Sequence, residues 1–290
     1  MDPTLFAFAL GMGSALTLAG ANTFVKAAKD ILGARTVMTL TGSILVLPLL
    51  FFVPLPGAAT WGFLALSLPA HWLYQTALVR AMSRGDLSLV FPIMRGSAPL
   101  LTALAAAIVI GEQLSPIAML GLAIASLATV VFAVPEKNFG GSRRVRNSAV
   151  LWALATGAGI AIYNVIDAQG VRTALSDTGT QWSFILWLLA FDWIGVTTIM
   201  LLTRGPREFI VSARRALPFG IGAGLCSLAS FSMALYGFSV APVAYMSAMR
   251  ETAVVFGALM GWWFLREGFG VRRTFAAILL AAGLSLLQFG

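Results

Sequence analysis

Ten apolar stretches, each long enough to cross a bilayer as a helix, run through this sequence: 5–26, 35–53, 61–82, 87–110, 116–134, 148–170, 181–202, 217–238, 242–265 and 273–289. A span needs about 17 to 25 mostly apolar residues, because a helix rises about 1.5 Å per residue and the hydrocarbon layer is about 30 Å thick. No water-soluble core absorbs that pattern. Charged residues make up 10% of the 290, where an ordinary soluble domain carries about 25%. Mean hydropathy is +0.90, and the expected class is an all-α membrane protein. The start, Met1-Asp2-Pro3, has no basic region before the first stretch and no cleavage site after it, so that stretch reads as a retained span instead of a signal peptide.

A net charge of +8 would suit nucleic acid if it formed a stripe, but the basic residues lie in short connections, so no nucleic-acid partner is expected. Sixteen of the nineteen Lys and Arg fall near odd-numbered connections, from Lys26 and Lys29 through Arg143, Arg144 and Arg146 to Arg272 and Arg273, whereas Arg172 alone marks the other side. Basic residues stay cytoplasmic, which puts the odd connections inside and both termini outside. The single cysteine, Cys226, lies in an apolar run and reads as a packed thiol. With one histidine in the chain as well, neither a metal nor a cofactor is expected.

Two arginines expose a duplication. Arg95 and Arg250 each lie inside an apolar stretch, each is followed by a glutamate seventeen residues on (Glu112 and Glu267), and one offset of 155 relates both pairs. Asn22 and Asn164 extend the likeness to the opening stretch of each half. Five spans per half is an odd number, so the second copy must enter the membrane upside down, and loop charge reverses accordingly. The loop after the second stretch has no basic residue, and its counterpart after the seventh has Arg204, Arg207, Arg214 and Arg215. The expected fold is ten transmembrane helices as two inverted five-helix repeats around a central cavity, with residues 1–135 the first repeat, 136–147 a basic cytoplasmic linker and 148–290 the second repeat. Alternating access is commonly built on such symmetry.

Ten spans in two repeats, Gly111-Glu112 closing the fourth span, Arg266-Glu267 closing the ninth, and the paired asparagines resemble the drug/metabolite transporter superfamily, in particular its EamA-type permeases. The likeness covers nearly the whole chain. It implies a multi-pass carrier of the bacterial inner (plasma) membrane, similar to bacterial amino-acid exporters that include those for aromatic amino acids. Its partners would be a small-molecule substrate and the lipid bilayer, and a duplicated bundle is complete as a monomer.

Candidate solute contacts follow from polar groups where lipid penalises them. An arginine near the bilayer centre costs at least about 2.5 kcal/mol, so Arg95 and Arg250 must face a partner or a wet cavity. Each either captures a solute carboxylate or phosphate or sits in a structural ion pair with Asp192, Glu251 or a carbonyl. Arg250 and Glu251, as helix neighbours, point about 100° apart and do not pair simply. His71, Tyr74 and Gln75 share one helix face, either as cavity wall or as interhelical glue. Asn22 and Asn164 touch solute or pin helices. Asp192 lies near mid-membrane, where it is a counter-ion, an ammonium site or a proton carrier, while Asp167 reads as solvated near the outer end. Tyr163, Trp187 and Tyr245 lie deep enough to wall an aromatic-lined cavity. Pro92 and Pro99 around Arg95-Gly96-Ser97-Ala98 make the fourth span the expected hinge, with Ser97 within reach of solute. Glu112 and Glu267 are expected to cap helix starts or gate the path. Gly220 to Gly224 and Gly257 to Gly261 read as packing seams.

No phosphate-binding loop, zinc helix or nucleophile elbow is present, so the chain does not read as an enzyme. Export or exchange of small metabolites, most of all amino acids, is the expected function, as a facilitator or secondary carrier. The alternatives are a proton-coupled exporter of drugs or other metabolites such as purines and sugar phosphates, and, in a different class, a membrane channel or receptor.

Overall fold

A computed structural model describes residues 3–82, 84, 87–133, 143–265 and 271–289. These are helical, with no strand among them: α1 Pro3–Ala27, α2 Ile31–Val46 running into a 3₁₀ turn at Leu47–Phe52, α3 Ala58–Met82, α4 Leu87–Val109, α5 Pro116–Ala133 and α6 Arg143–Thr178. α7 Trp182–Phe191, α8 Trp193–Val240, α9 Val243–Arg250, α10 Ala253–Leu265 and α11 Val271–Phe289 complete the chain. Among the described residues, four helical stretches are long and apolar enough to cross a membrane, namely Thr4–Ala27, Ile31–Phe52, Asn147–Thr178 and Trp182–Val240. The chain is an α-helical protein of membrane character.

Its packing is inverted relative to a soluble globule. Alanines dominate the interior, with Ala15, Ala34, Ala98, Ala128, Ala153 and Ala168 all without exposure, while Phe51 is 91% and Leu202 83% exposed. Water would penalise that surface, and lipid does not. Helices held without a hydrophobic drive between them associate through small residues that let backbones approach. The tightest such seam joins α5 to α11, where a Cβ on Gly121 would meet Gly283 O and Leu287 N, each at 2.5 Å. Gly220 and Gly224 on α8 face Val37, Met38 and Thr41 of α2, as expected for a seam. Among the described residues Gly257 has only Ala19 Cβ near it, 4.0 Å away, so the expected ninth-span seam is loose at that glycine.

Three boundaries differ from the sequence expectation. The region after the seventh stretch is not a long loop: the chain turns at Gly205 (φ 78°, ψ 169°), and Pro206 restarts the helix at once. Arg207, Arg214 and Arg215 therefore sit on the helix instead of in a loop. α6 begins at Arg143, inside the expected linker, and its 36 residues reach roughly 54 Å, well beyond the hydrocarbon layer. The rest of that linker, 136–142, is outside the described residues, as is Glu267.

The third difference concerns the hinge. α4 continues through Pro92 and Pro99, whereas the proline-free counterpart is interrupted at Glu251-Thr252 between α9 and α10. Pro99 removes only its own N–H, leaving the Arg95 carbonyl without that bond. The interruption arises from a tightened turn, in which Glu251 N bonds Ala248 O, Thr252 N bonds Met249 O and Val254 N bonds Glu251 O. Thr252 Oγ1 adds a bond to Met249 O at 2.7 Å, and such mid-helix 3₁₀ geometry marks hinges.

Candidate functional site

Helices from both halves of the chain enclose one polar cavity of about 90 Å³. α3 contributes His71, Tyr74 and Gln75, α4 Arg95, α6 Tyr163 and Asn164, α1 Asn22, and the α9–α10 junction Arg250 and Glu251, with Asp192 from the α7–α8 junction. The i, i+3, i+4 face on α3 does look inward. Ser97, Trp187 and Tyr245 do not line the cavity. Ser97 donates to Met94 O and closes against Gly157 at the α4–α6 seam. Trp187 packs edge-on to Trp61 and tilted to Phe191, and Tyr245 is buried in the main core.

The two repeat-related arginines have different surroundings. Arg95 pairs with Glu251 at 3.3 Å, one partner from each half. Arg250 lies 5.0 Å over the Phe231 ring and is only 7% exposed. It makes no hydrogen bond or ion pair to a described residue, and its Nε is buried without an acceptor. Gln75 Oε1, Asn164 Oδ1 and Glu251 Oε2 are likewise buried without partners, and all belong to cavity residues. A buried polar atom left unpaired costs about 1 to 3 kcal/mol, so these four, unpaired among the described residues, make this wall of the cavity the one that water or a solute can satisfy. Asp192 also has no hydrogen bond or ion pair among the described residues.

Asn164 is held as a pinning residue by its amide, which donates to Thr102 Oγ1 and Ser247 Oγ, each at 3.4 Å, across α6, α4 and α9. Asp167 corrects the sequence reading. It is fully buried, because α6 continues well past it to Thr178, and it accepts from Ser67 Oγ and bonds His71 Nε2 at 2.9 Å. His71 in turn stacks on Tyr163 with ring centroids 4.1 Å apart.

The sequence missed Arg35, Thr39, Ser227, Phe231 and Ser247 on the wall. Arg35 is one of the sixteen basic residues near odd-numbered connections, and Phe231 is one apolar residue among many, so the sequence marks neither. Arg35 also lines a second cavity of about 380 Å³ with Lys29, Asp30 and Arg204, toward the odd-numbered connections.

Both ends are tied. On that side Asp30 accepts from Arg204 Nη1, Ser212 Oγ and Gly33 N. Partial burial opposes its charge, but these three donors outweigh it and hold the Asp30 carboxyl below its ordinary value. On the opposite side Glu112 pairs with Arg172 at 2.6 Å and accepts from Val243 N at 2.9 Å. Glu112 thus caps α9, a helix of the other half, and not the adjoining α5. Arg172 also donates to Phe238 O and Ala241 O, which locks the end of α8 into the same knot. Among the described residues no three His, Cys, Asp or Glu side chains group as metal ligands.

No family model matches this chain, and no curated protein matches it. A solved crystal structure of a protein is similar over 97% of this chain and 95% of its own length, with a TM-score of 0.76 at 14% identity. That likeness shows a shared fold.

Proposed function

We propose that this chain is a membrane transporter that exports or exchanges small metabolites, amino acids foremost, by alternating access, as an EamA-type permease of the drug/metabolite transporter superfamily. Ten spans cross the bacterial inner membrane, both termini face outward, and the two five-span halves are inverted copies acting as a monomer. Helix pairing supports the symmetry. Moving each helix five spans along turns the α1–α8 pair into α6–α3, the α4–α6 pair into α9/α10–α1, and α5–α11 into itself, and all of these pairs pack together. The ties fit the sidedness, since Asp30 and Arg204 belong to odd connections while Glu112, Arg172 and Ala241 lie at even ones.

The observation that carries the reading is Arg250, a guanidinium buried at the cavity with Glu251 beside it in sequence but no carboxylate in ion-pair contact among the described residues. A solute carboxylate supplies that anion, Asp192 and the open acceptors Gln75 Oε1 and Asn164 Oδ1 take the ammonium, and Phe231, Tyr74 and Tyr163 meet an apolar or aromatic body. Arg95, paired with Glu251, bridges the halves beside it. The cavity is below the roughly 300 Å³ of ordinary ligand sites, so loading requires the halves to part. The hinge at Glu251-Thr252 and release of one terminal tie at a time provide that motion.

Counterflow in liposomes, with a panel of labelled amino acids, purines and sugar phosphates, tests the proposal. Saturable exchange of amino acids is expected, with KM rising at least about 30-fold in Arg250→Gln, the equivalent of about 2 kcal/mol. Exchange of another solute class moves the substrate assignment. No exchange of any solute, or conductance without saturation, overturns the carrier.

A further inference from the structure

Asp167 has no place in the solute contacts above, yet it is a carboxylate buried completely within a membrane helix. Such residues are expensive and mark ion or proton paths. Its two partners are unlike: Ser67 Oγ is a fixed donor, and His71 Nε2 belongs to a titratable ring on the cavity wall. With Nε2 committed to Asp167, the remaining ring atom Nδ1 makes no hydrogen bond among the described residues. In the neutral ring Nε2 carries the hydrogen toward Asp167 and Nδ1 is an acceptor. Adding one proton turns Nδ1 into a donor without disturbing the bond to Asp167.

Resting on the carrier reading, we propose that the His71–Asp167 pair is a proton-binding site and that this chain exchanges protons for solute. The groups around the ring set the coupling. After Asp167, the next carboxylate acting on His71 is Asp192 and the next cation is Arg250. Arg95 and Glu251 neutralise one another, Arg35 lines both cavities and acts on Asp192 instead of on the ring, Tyr74 and Tyr163 flank the ring, and Asn22 of α1 and Ser227 and Phe231 of α8 add no charge. With a neutral ring, Nδ1 and Asp192 both accept, which suits an ammonium group. An imidazolium beside Asp192 presents a donor and a like charge, and that expels the ammonium. Proton and solute therefore exclude each other. On the outside a hydronium ion in the cavity gives up one O–H proton, becoming water, and an N–H bond forms at Nδ1 as solute leaves; on the inside that N–H bond breaks and the proton passes to water as solute binds, with no change of oxidation state.

The chain has one histidine, so histidine-selective ¹⁵N labelling reads this ring alone by NMR in bilayers. The expected result is an imidazole that titrates within pH 5–9, with a midpoint displaced by about one unit or more in Asp167→Asn. In liposomes with a lumenal pH dye, a gradient of whichever solute the counterflow panel identifies should move about one proton per solute in the opposite direction, and the ratio should fall toward zero in Asp167→Asn. A ring that keeps one protonation state across pH 5–9 overturns the proposal. Saturable solute exchange with no proton movement also overturns it, while leaving the carrier intact as a facilitator. Absence of any exchange instead removes the carrier reading, and the proton exchange with it.

Discussion

Replacing Glu112 with glutamine tests whether its tie holds the start of α9 shut. The carboxylate makes two bonds, to Arg172 Nη2 at 2.6 Å and to Val243 N at 2.9 Å. Glutamine retains one carbonyl oxygen, and its NH₂ faces a donor, so one bond is lost and the remaining one loses its charge. Hydrogen bonds to charged groups contribute about 1.5 to 3 kcal/mol. The side chains of Arg172 and Glu112 are 31% and 16% exposed, which places the loss toward the lower end, about 1.5 to 2 kcal/mol. That corresponds to about a 13- to 30-fold larger opening constant. Hydrogen exchange of the Val243 amide in lipid nanodiscs reads it directly, since the amide exchanges only when the tie opens. The expected acceleration is therefore about 13- to 30-fold in Glu112→Gln, with the later α9 amides less affected. Acceleration below about 2-fold would refute the tie as a closure.

Arg95→Gln should destabilise the fold by about 3 to 5 kcal/mol by leaving Glu251 without its partner, and Arg95→Gln/Glu251→Gln should recover much of this in detergent thermal melts. If the double variant is no better than the single one, the pair is not coupled. At Gly121, alanine places its Cβ 2.5 Å from two backbone atoms of α11, so a loss of about 1 to 3 kcal/mol is expected, while Gly257→Ala should stay within about 0.5 kcal/mol. Equal melting temperatures for the two variants would contradict the seam. For Asp30 the folded pKa is depressed, so its contribution is present above the unfolded value of about 3.9 and is lost as pH falls through the lower folded one. Crosslinking between cysteines placed near Lys29 and Arg204 should therefore hold from pH 7 to about 4 and weaken below it, and weakening already at pH 5 to 6 would contradict this assignment.

The apolar rhythm of the sequence places the helices because lipid enforces both length and composition. It misplaces their ends where loops project into water: the stretch around Gly205 to Ala216 is polar enough to read as a loop, yet Pro206 and a run of helix formers continue the helix. Charge in an apolar stretch is legible for the same reason, and so Arg95, Arg250, Glu251 and Asp192 converge on one cavity as their positions suggested. What periodicity lacks is direction. Trp187 and Tyr245 share with Tyr163 a place well inside an apolar stretch and yet face other helices, and Asp167 reads as solvated until α6 is seen to run eleven residues past it. Phe231 contacts both Arg250 and His71 but carries no polar mark.

The bond between Ser14 and Ser230 carries a consequence for synthesis. Each hydroxyl donates to the other residue's carbonyl, and 216 residues separate them. At roughly 5 to 20 residues per second, the first helix is in the bilayer for about ten to forty seconds before its partner exists. It therefore has to be stable alone in lipid, its serine satisfied by its own turn. The α3 helix waits similarly, since Asp167 is made 100 residues after Ser67. Assembly of this chain is thus a late exchange of temporary contacts for permanent ones, and a ribosome stalled midway would leave helices whose partners have not been made.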